Sequence, residues 1–145
     1  MEEKKNRNIE GYYDPTASEA IRHASTFGFR PLVYICSPYA GDIDRNVAAA
    51  RKYSRFAVET GYIPIAPHLL FPQFMNDGDP TERELALFFG NALMSKCSEV
   101  WVFGDTISNG MAAEIKRARW KNYRLRYFTE ELEEIKNAQT ETHPD

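Results

Sequence analysis

The sequence predicts a single doubly wound α/β domain of about five mostly parallel strands flanked by helices, and three observations predict it. Short apolar runs at residues 32–36, 62–66, 100–103 and 123–128 alternate with longer stretches of helical periodicity. VYIC and VWVF are apolar at every position, the pattern of strands covered on both faces. The helical stretches between them carry their own start and stop residues. A sheet of this kind places its ligand site at the carboxyl ends of the strands, near the point where the strand order reverses.

Residues 1–10 form a polar lead-in expected to be mobile. Thr16-x-x-Glu19 is a capping-box pattern that opens a short helix to about Ser25, with Ala17, Ala20, Ile21 and Ala24 on one side. Residues 1–30 therefore read as a tail and docking helix, and residues 31–145 as the α/β domain with a C-terminal helix and tail. After the first strand, Asp42 or Asp44 caps a long helix that stops at Gly61. The second strand contains Pro64, which cannot donate to a ladder and points to an edge position or an irregular strand. Residues 67–75, PHLLFPQFM, are too apolar for an ordinary loop and read as a lid or subunit contact. Thr81-x-x-Glu84 is a second capping box, opening a helix to about Lys96 whose apolar face around Leu85, Phe88 and Phe89 exceeds one sheet contact. That excess predicts a homodimer or larger homo-oligomer. Thr129 is expected to cap a last, charged helix.

Composition sets the bounds. A chain of 145 residues with 43% hydrophobic content can bury a core as one domain. Net charge is -3, and no Lys/Arg block stands out, so a duplex nucleic-acid surface is not expected. Cys36 and Cys97 are too few and too deep in apolar runs for a disulfide framework, which points to a reducing cytoplasm. Neither a signal peptide nor an apolar run long enough for a membrane span is visible. The Cys and His positions lack metal-ligand spacing, and no flavin-type motif is present, so neither metal nor cofactor is expected.

The most informative stretch is EVWVFGDTISNGMAAEIKRA, residues 99–118, a buried strand, a polar turn and a helix start in succession. Ser108, Asn109 and Gly110 supply a capping hydroxyl, an amide and a residue without Cβ, so that backbone N–H groups, including that of Met111, can approach an anion. Glu114 falls about one turn into the helix, over the same spot, with Ala112, Ala113 and Ala118 leaving room beside it.

Ser108-x-Gly110-x-x-x-Glu114-Ile115-x-x-Ala118 after an apolar strand resembles the signature of the nucleoside 2-deoxyribosyltransferase-like superfamily, a Rossmann-like or flavodoxin-like fold. That group includes 2'-deoxynucleoside 5'-monophosphate N-glycosidases and the DUF4406-type phage and bacterial members. VYICSPY, residues 33–39, is similar to the family's first strand and the loop over base and sugar, and the resemblance covers residues 32–128. It implies a nucleoside or nucleotide ligand, Glu114 as the nucleophile at the anomeric carbon, and Ser108 as a holder of phosphate or hydroxyl. Tyr34 stands between a packed core ring and a hydroxyl that orients the nucleophile. Ser37, Pro38 and Tyr39 fall in the ligand loop, Tyr39 being either a stacking platform or loop packing. Asp105 is a turn residue within reach of a sugar hydroxyl, and His68 is either a site group or a hydrogen-bonded loop histidine. One departure stands out: the family carries an aspartate eight positions ahead of an acidic residue at the strand entrance, and here Asn91 and Glu99 occupy those places. An amide has no titratable proton. The implied activity is hydrolysis or transfer at an N-glycosidic bond, with a binding protein that has lost the chemistry as the alternative.

Overall fold

The computed structural model describes residues 28–136. The lead-in at 1–10, the docking helix at 16–25 and the terminal tail from 137 onward lie outside the described residues. The chain divides into the units Met1–Arg30 and Pro31–Asp145, and the fold is that of the second.

Strand β1 (Leu32–Cys36) leads through helix α1 (Ile43–Glu59) to β2 (Ile63–Ile65), then through short helix α2 (Pro67–Leu70), a 3-10 turn (Phe71–Gln73) and α3 (Pro80–Met94) to β3 (Glu99–Phe103); α4 (Asn109–Trp120) and β4 (Arg124–Phe128) complete the order. All strand pairs are parallel and the sheet order is β2-β1-β3-β4, the doubly wound arrangement with four strands among the described residues rather than five. The chain leaves β1 toward β2 and returns across it to β3. The switch point therefore lies between the carboxyl ends of β1 and β3.

Alternation along β1 and β3 divides the core. Val33, Ile35, Trp101 and Phe103 face α1 with Tyr53, Ala57 and Phe128. Tyr34, Cys36, Val100 and Val102 face the other way, against Met94, Met111, Ile115 and Ala118. On the first face the rings stack closely, Tyr53 on Phe103 at 4.2 Å between centroids and Trp101 against Phe128 at 4.9 Å.

Asp42 is the cap of α1, its carboxylate accepting from the Arg45 N–H at 3.3 Å, and Gly61 follows the helix end at φ +97°, where a Cβ would be strained. Ile63 donates to the Pro31 carbonyl at 2.8 Å, so the next donor position, Pro64, points away from β1 at the open edge. Two expected elements differ. The Thr81/Glu84 capping box does not form, because Asp79 with Pro80 after it starts α3 two residues earlier and accepts from the Thr81 N–H at 3.0 Å. The helix expected after Thr129 is absent from the described residues. Thr129 Oγ1 accepts from the N–H groups of Glu131 and Glu133, Leu132 takes φ +73°, and the chain doubles back so that Ile135 N–H donates to the Tyr127 carbonyl.

The reason for that return is a buried charge. Glu99 opens β3 at 7% exposure and accepts from Trp101 Nε1 at 2.7 Å, Arg126 Nη1 at 3.2 Å and Arg124 Nη1 at 3.4 Å. Arg126 in turn holds Glu134 through two bonds of 2.9 Å and lies over the Trp101 ring at 5.0 Å. The run that reads as a charged helix is captured by Arg126 instead.

Candidate active site

The carboxyl ends of β1 and β3 open into a cleft of about 520 Å³, walled by the β1 loop, α2, the 3-10 turn, α3 and the start of α4. Ten sequence-predicted residues meet there: Tyr34, Ser37, Tyr39, His68, Asn91, Ser108, Asn109, Gly110, Met111 and Glu114. Pro38 and Asp105 do not line it. Asp105 is exposed in the bend after β3, and Pro38 lies between two loop residues that do face the cleft.

Glu114 reaches the cleft from the second turn of α4, where its carboxylate accepts from the Tyr34 hydroxyl at 2.6 Å. The Tyr34 ring is packed in the core at 2% exposure, and its hydroxyl points up into the cleft. Gly90 makes this possible, since a Cβ there would stand 3.3 Å from the phenol oxygen. Cys36, two residues further along the same face of β1, is completely buried with its thiol 3.9 Å from the Met111 carbonyl.

Burial raises Glu114 above the ordinary carboxylate value, while hydrogen bonds from Tyr34 and Cys36 pull it back. The phenol of Tyr34 and the thiol of Cys36 are both pushed up, first by burial and then by the charge of Glu114. Both stay protonated, and the Tyr34 hydroxyl serves the carboxylate as donor.

Ser108 caps α4, its Oγ accepting from the Met111 N–H at 3.2 Å. The N–H groups of Asn109 and Gly110 have no intrahelical acceptor, and the hydroxyl proton of Ser108 remains free to donate. Removing the cap with Ser108→Ala should cost about 1 kcal/mol of stability, measured by urea titration.

Across the cleft, Ser37 Oγ lies 2.8 Å from His68 Nε2. Burial lowers His68 to about 4, so the ring is neutral at physiological pH. The unfolded state takes up this proton near the ordinary histidine value of 6.5 and the folded state only near 4, so stability is lost as pH falls through that window. His68→Asn should remove this acid-side loss, as read by melting temperature against pH.

Phe71 and Met75, from the apolar stretch at 67–75, also line the cleft, as do Arg83 and Gly90, which carried no signal in the sequence. Spacing from Asn91 along one helix face identifies Arg83 and Gly90 once α3 is known to be a wall. Glu99 lies at the opposite end of the sheet from the cleft and is held there by Arg124 and Arg126.

Fold and cleft define a doubly wound α/β protein with a buried carboxylate at its switch point. The family model described as Domain of unknown function (DUF7768) matches residues 31–128, and the chain belongs to that family. A search of the curated proteins finds no match. Among solved structures the chain is similar to a 2-deoxyribosyltransferase from the psychrotolerant bacterium Bacillus psychrosaccharolyticus, described as a biocatalyst for the synthesis of antiviral and antitumoral nucleosides. Identity is 14%, over 68% of this chain and 72% of that one, with a TM-score of 0.58. At that identity the likeness establishes a shared fold. No described helix is long and apolar enough to cross a membrane.

Proposed function

We propose that the chain is an N-glycosidase or N-deoxyribosyltransferase of nucleosides or nucleotides, on the DUF4406-type phage and bacterial side of the nucleoside 2-deoxyribosyltransferase-like superfamily. The observation that carries this reading is the Glu114 carboxylate, facing a ligand-sized cleft with the Tyr34 hydroxyl on it at 2.6 Å. A Glu114 oxygen attacks the anomeric carbon as the C–N bond breaks, and the bond's electron pair leaves with the base. The base takes its proton from water. Water or a second base then attacks the glycosyl ester, releasing Glu114 as carboxylate. Ser108 and the free N–H groups beside it hold a phosphate or hydroxyl of the sugar. Ser108→Ala should therefore weaken phosphorylated ligands by about 1 to 2 kcal/mol more than unphosphorylated ones, in a calorimetric comparison.

Incubation with nucleosides and 5'-monophosphates, followed by chromatography for free base, tests the reading. Asn91 favours a second one, a nucleotide-binding protein without turnover, because no titratable side chain stands at that position. Nucleotide binding with no base released from any member of the panel establishes that alternative. Exposed Leu85 and Phe88 form an apolar face on α3, and self-association is the use we assign to it. Sedimentation at micromolar concentration should show a dimer or larger species; a monomer alone contradicts this.

A further inference from the structure

The cleft has a basic group that the chemistry at Glu114 does not use. Arg83 and His68 are the basic side chains among the described lining residues, and His68 is held neutral by burial. Arg83 is therefore the cation of the cleft. Its guanidinium makes no ion pair and no side-chain hydrogen bond among the described residues.

Asp77 and Glu82 line the cleft beside it, and neither they nor Asp79 forms an ion pair with it among the described residues. Glu82 Oε1 is turned onto the Asn76 N–H at 2.6 Å, and Asp79 is occupied as the cap of α3, accepting from the Thr81 N–H at 3.0 Å. Five donors in a planar fork, on an exposed residue of the cleft wall, are thus left without a protein partner among the described residues. Such a fork matches the oxygens of a phosphate.

Position decides which phosphate. Arg83, Leu87, Gly90 and Asn91 follow one face of α3 along the cleft wall, and Gly90 is the residue packed at the Tyr34 hydroxyl. Along the helix axis, Arg83 lies about 10 Å from Gly90 at 1.5 Å of rise per residue, and helical side chains lean further toward the N-terminus. The guanidinium accordingly sits well out from the reacting carboxylate. The start of α4, within one turn of Glu114, is a separate place for an anion. A single phosphate occupies one of these places.

From this we infer that Arg83 forms a distal anion subsite, and that the cleft takes a nucleoside 5'-diphosphate or longer polyphosphate, the first phosphate at the start of α4 and an outer one on Arg83. This rests on the nucleotide reading of the cleft. It adds a substrate class and a specificity residue.

The test measures calorimetric affinity for the common 2'-deoxynucleosides and their 5'-mono-, di- and triphosphates. It uses full-length Glu114→Gln, with and without Arg83→Gln, both checked for folding by melting temperature. The expected result is a gain of about tenfold or more from mono- to diphosphate, lost with Arg83→Gln and partly kept with Arg83→Lys, which retains charge without the fork. Equal affinity for mono- and diphosphates, or a diphosphate advantage that survives Arg83→Gln, overturns the subsite. Base release by the unsubstituted chain is measured alongside. Release with a flat affinity ladder overturns the Arg83 inference alone; an Arg83-dependent ladder without release from any member supports the subsite and overturns the glycosidase reading.

Discussion

Glu114→Gln should leave the fold and ligand binding in place and reduce base release by about 10³-fold or more, because an amide of equal size is a poor nucleophile. The same substitution should raise stability at neutral pH. Folding holds the Glu114 proton more tightly than the unfolded chain does, so below the ordinary glutamate value of 4.5 the group is protonated in both states and neutral to stability. As pH rises through the raised native value, the buried carboxylate must ionise and stability is lost. His68 acts in the opposite sense between 6.5 and 4. In the Glu114→Gln variant stability should thus climb with pH across that window, and in His68→Asn it should fall above 4.5. A glycosidase rate unchanged by Glu114→Gln would show that another group is the nucleophile. A Glu114→Gln variant less stable than the parent at pH 7 would contradict the burial argument independently of activity.

The second large effect is on stability at the other end of the sheet. Arg126→Ala should destabilise the domain by about 3 kcal/mol, measured by denaturant titration, since it removes one partner of a buried ion pair. Glu99 would keep the Trp101 indole and the longer contact to Arg124, while Glu134 would lose both guanidinium bonds. Arg126 holds Glu134 down to about 2, so this stability is present above the ordinary glutamate value of 4.5 and is lost as pH falls toward 2. Arg126→Ala should accordingly flatten the acid limb below 4.5. An unchanged acid limb would mean that the pair does not hold the segment after β4.

Much of the site is legible in the sequence because it is local. The strand, the turn with Ser108 and Gly110, and Glu114 one turn later are contiguous, and helix geometry alone brings them over one spot. Tyr34 and Cys36 follow from the alternation of β1, which puts both on one face. The parts that were not legible depend on contacts between distant segments. Nothing near Gly90 in the chain shows that Tyr34 must pass over it. Likewise, the Ser37 and His68 pair joins the β1 loop to α2 across the cleft. Residues 130–134 have the composition of a helix, and the capture of Glu134 by Arg126 overrides that local preference. The start of α3 is a choice between two local signals, in which Asp79 before Pro80 prevails over Thr81 with Glu84.

The two sides of the sheet also bear on how copies of this chain can meet. A free strand edge is a template for pairing with another chain, and both edges here are blunted. At β2 the outward donor position is Pro64, in a strand of only three residues. At β4 the returning segment covers the rim, with Ile135 bonded to Tyr127 and a bridge between Phe128 and Glu134. Growth by strand addition is therefore disfavoured on either side, and amyloid-like stacking of the native domain has no starting ledge. Assembly in the native state is left to helical surfaces, where side-chain fit limits the number of copies that can join.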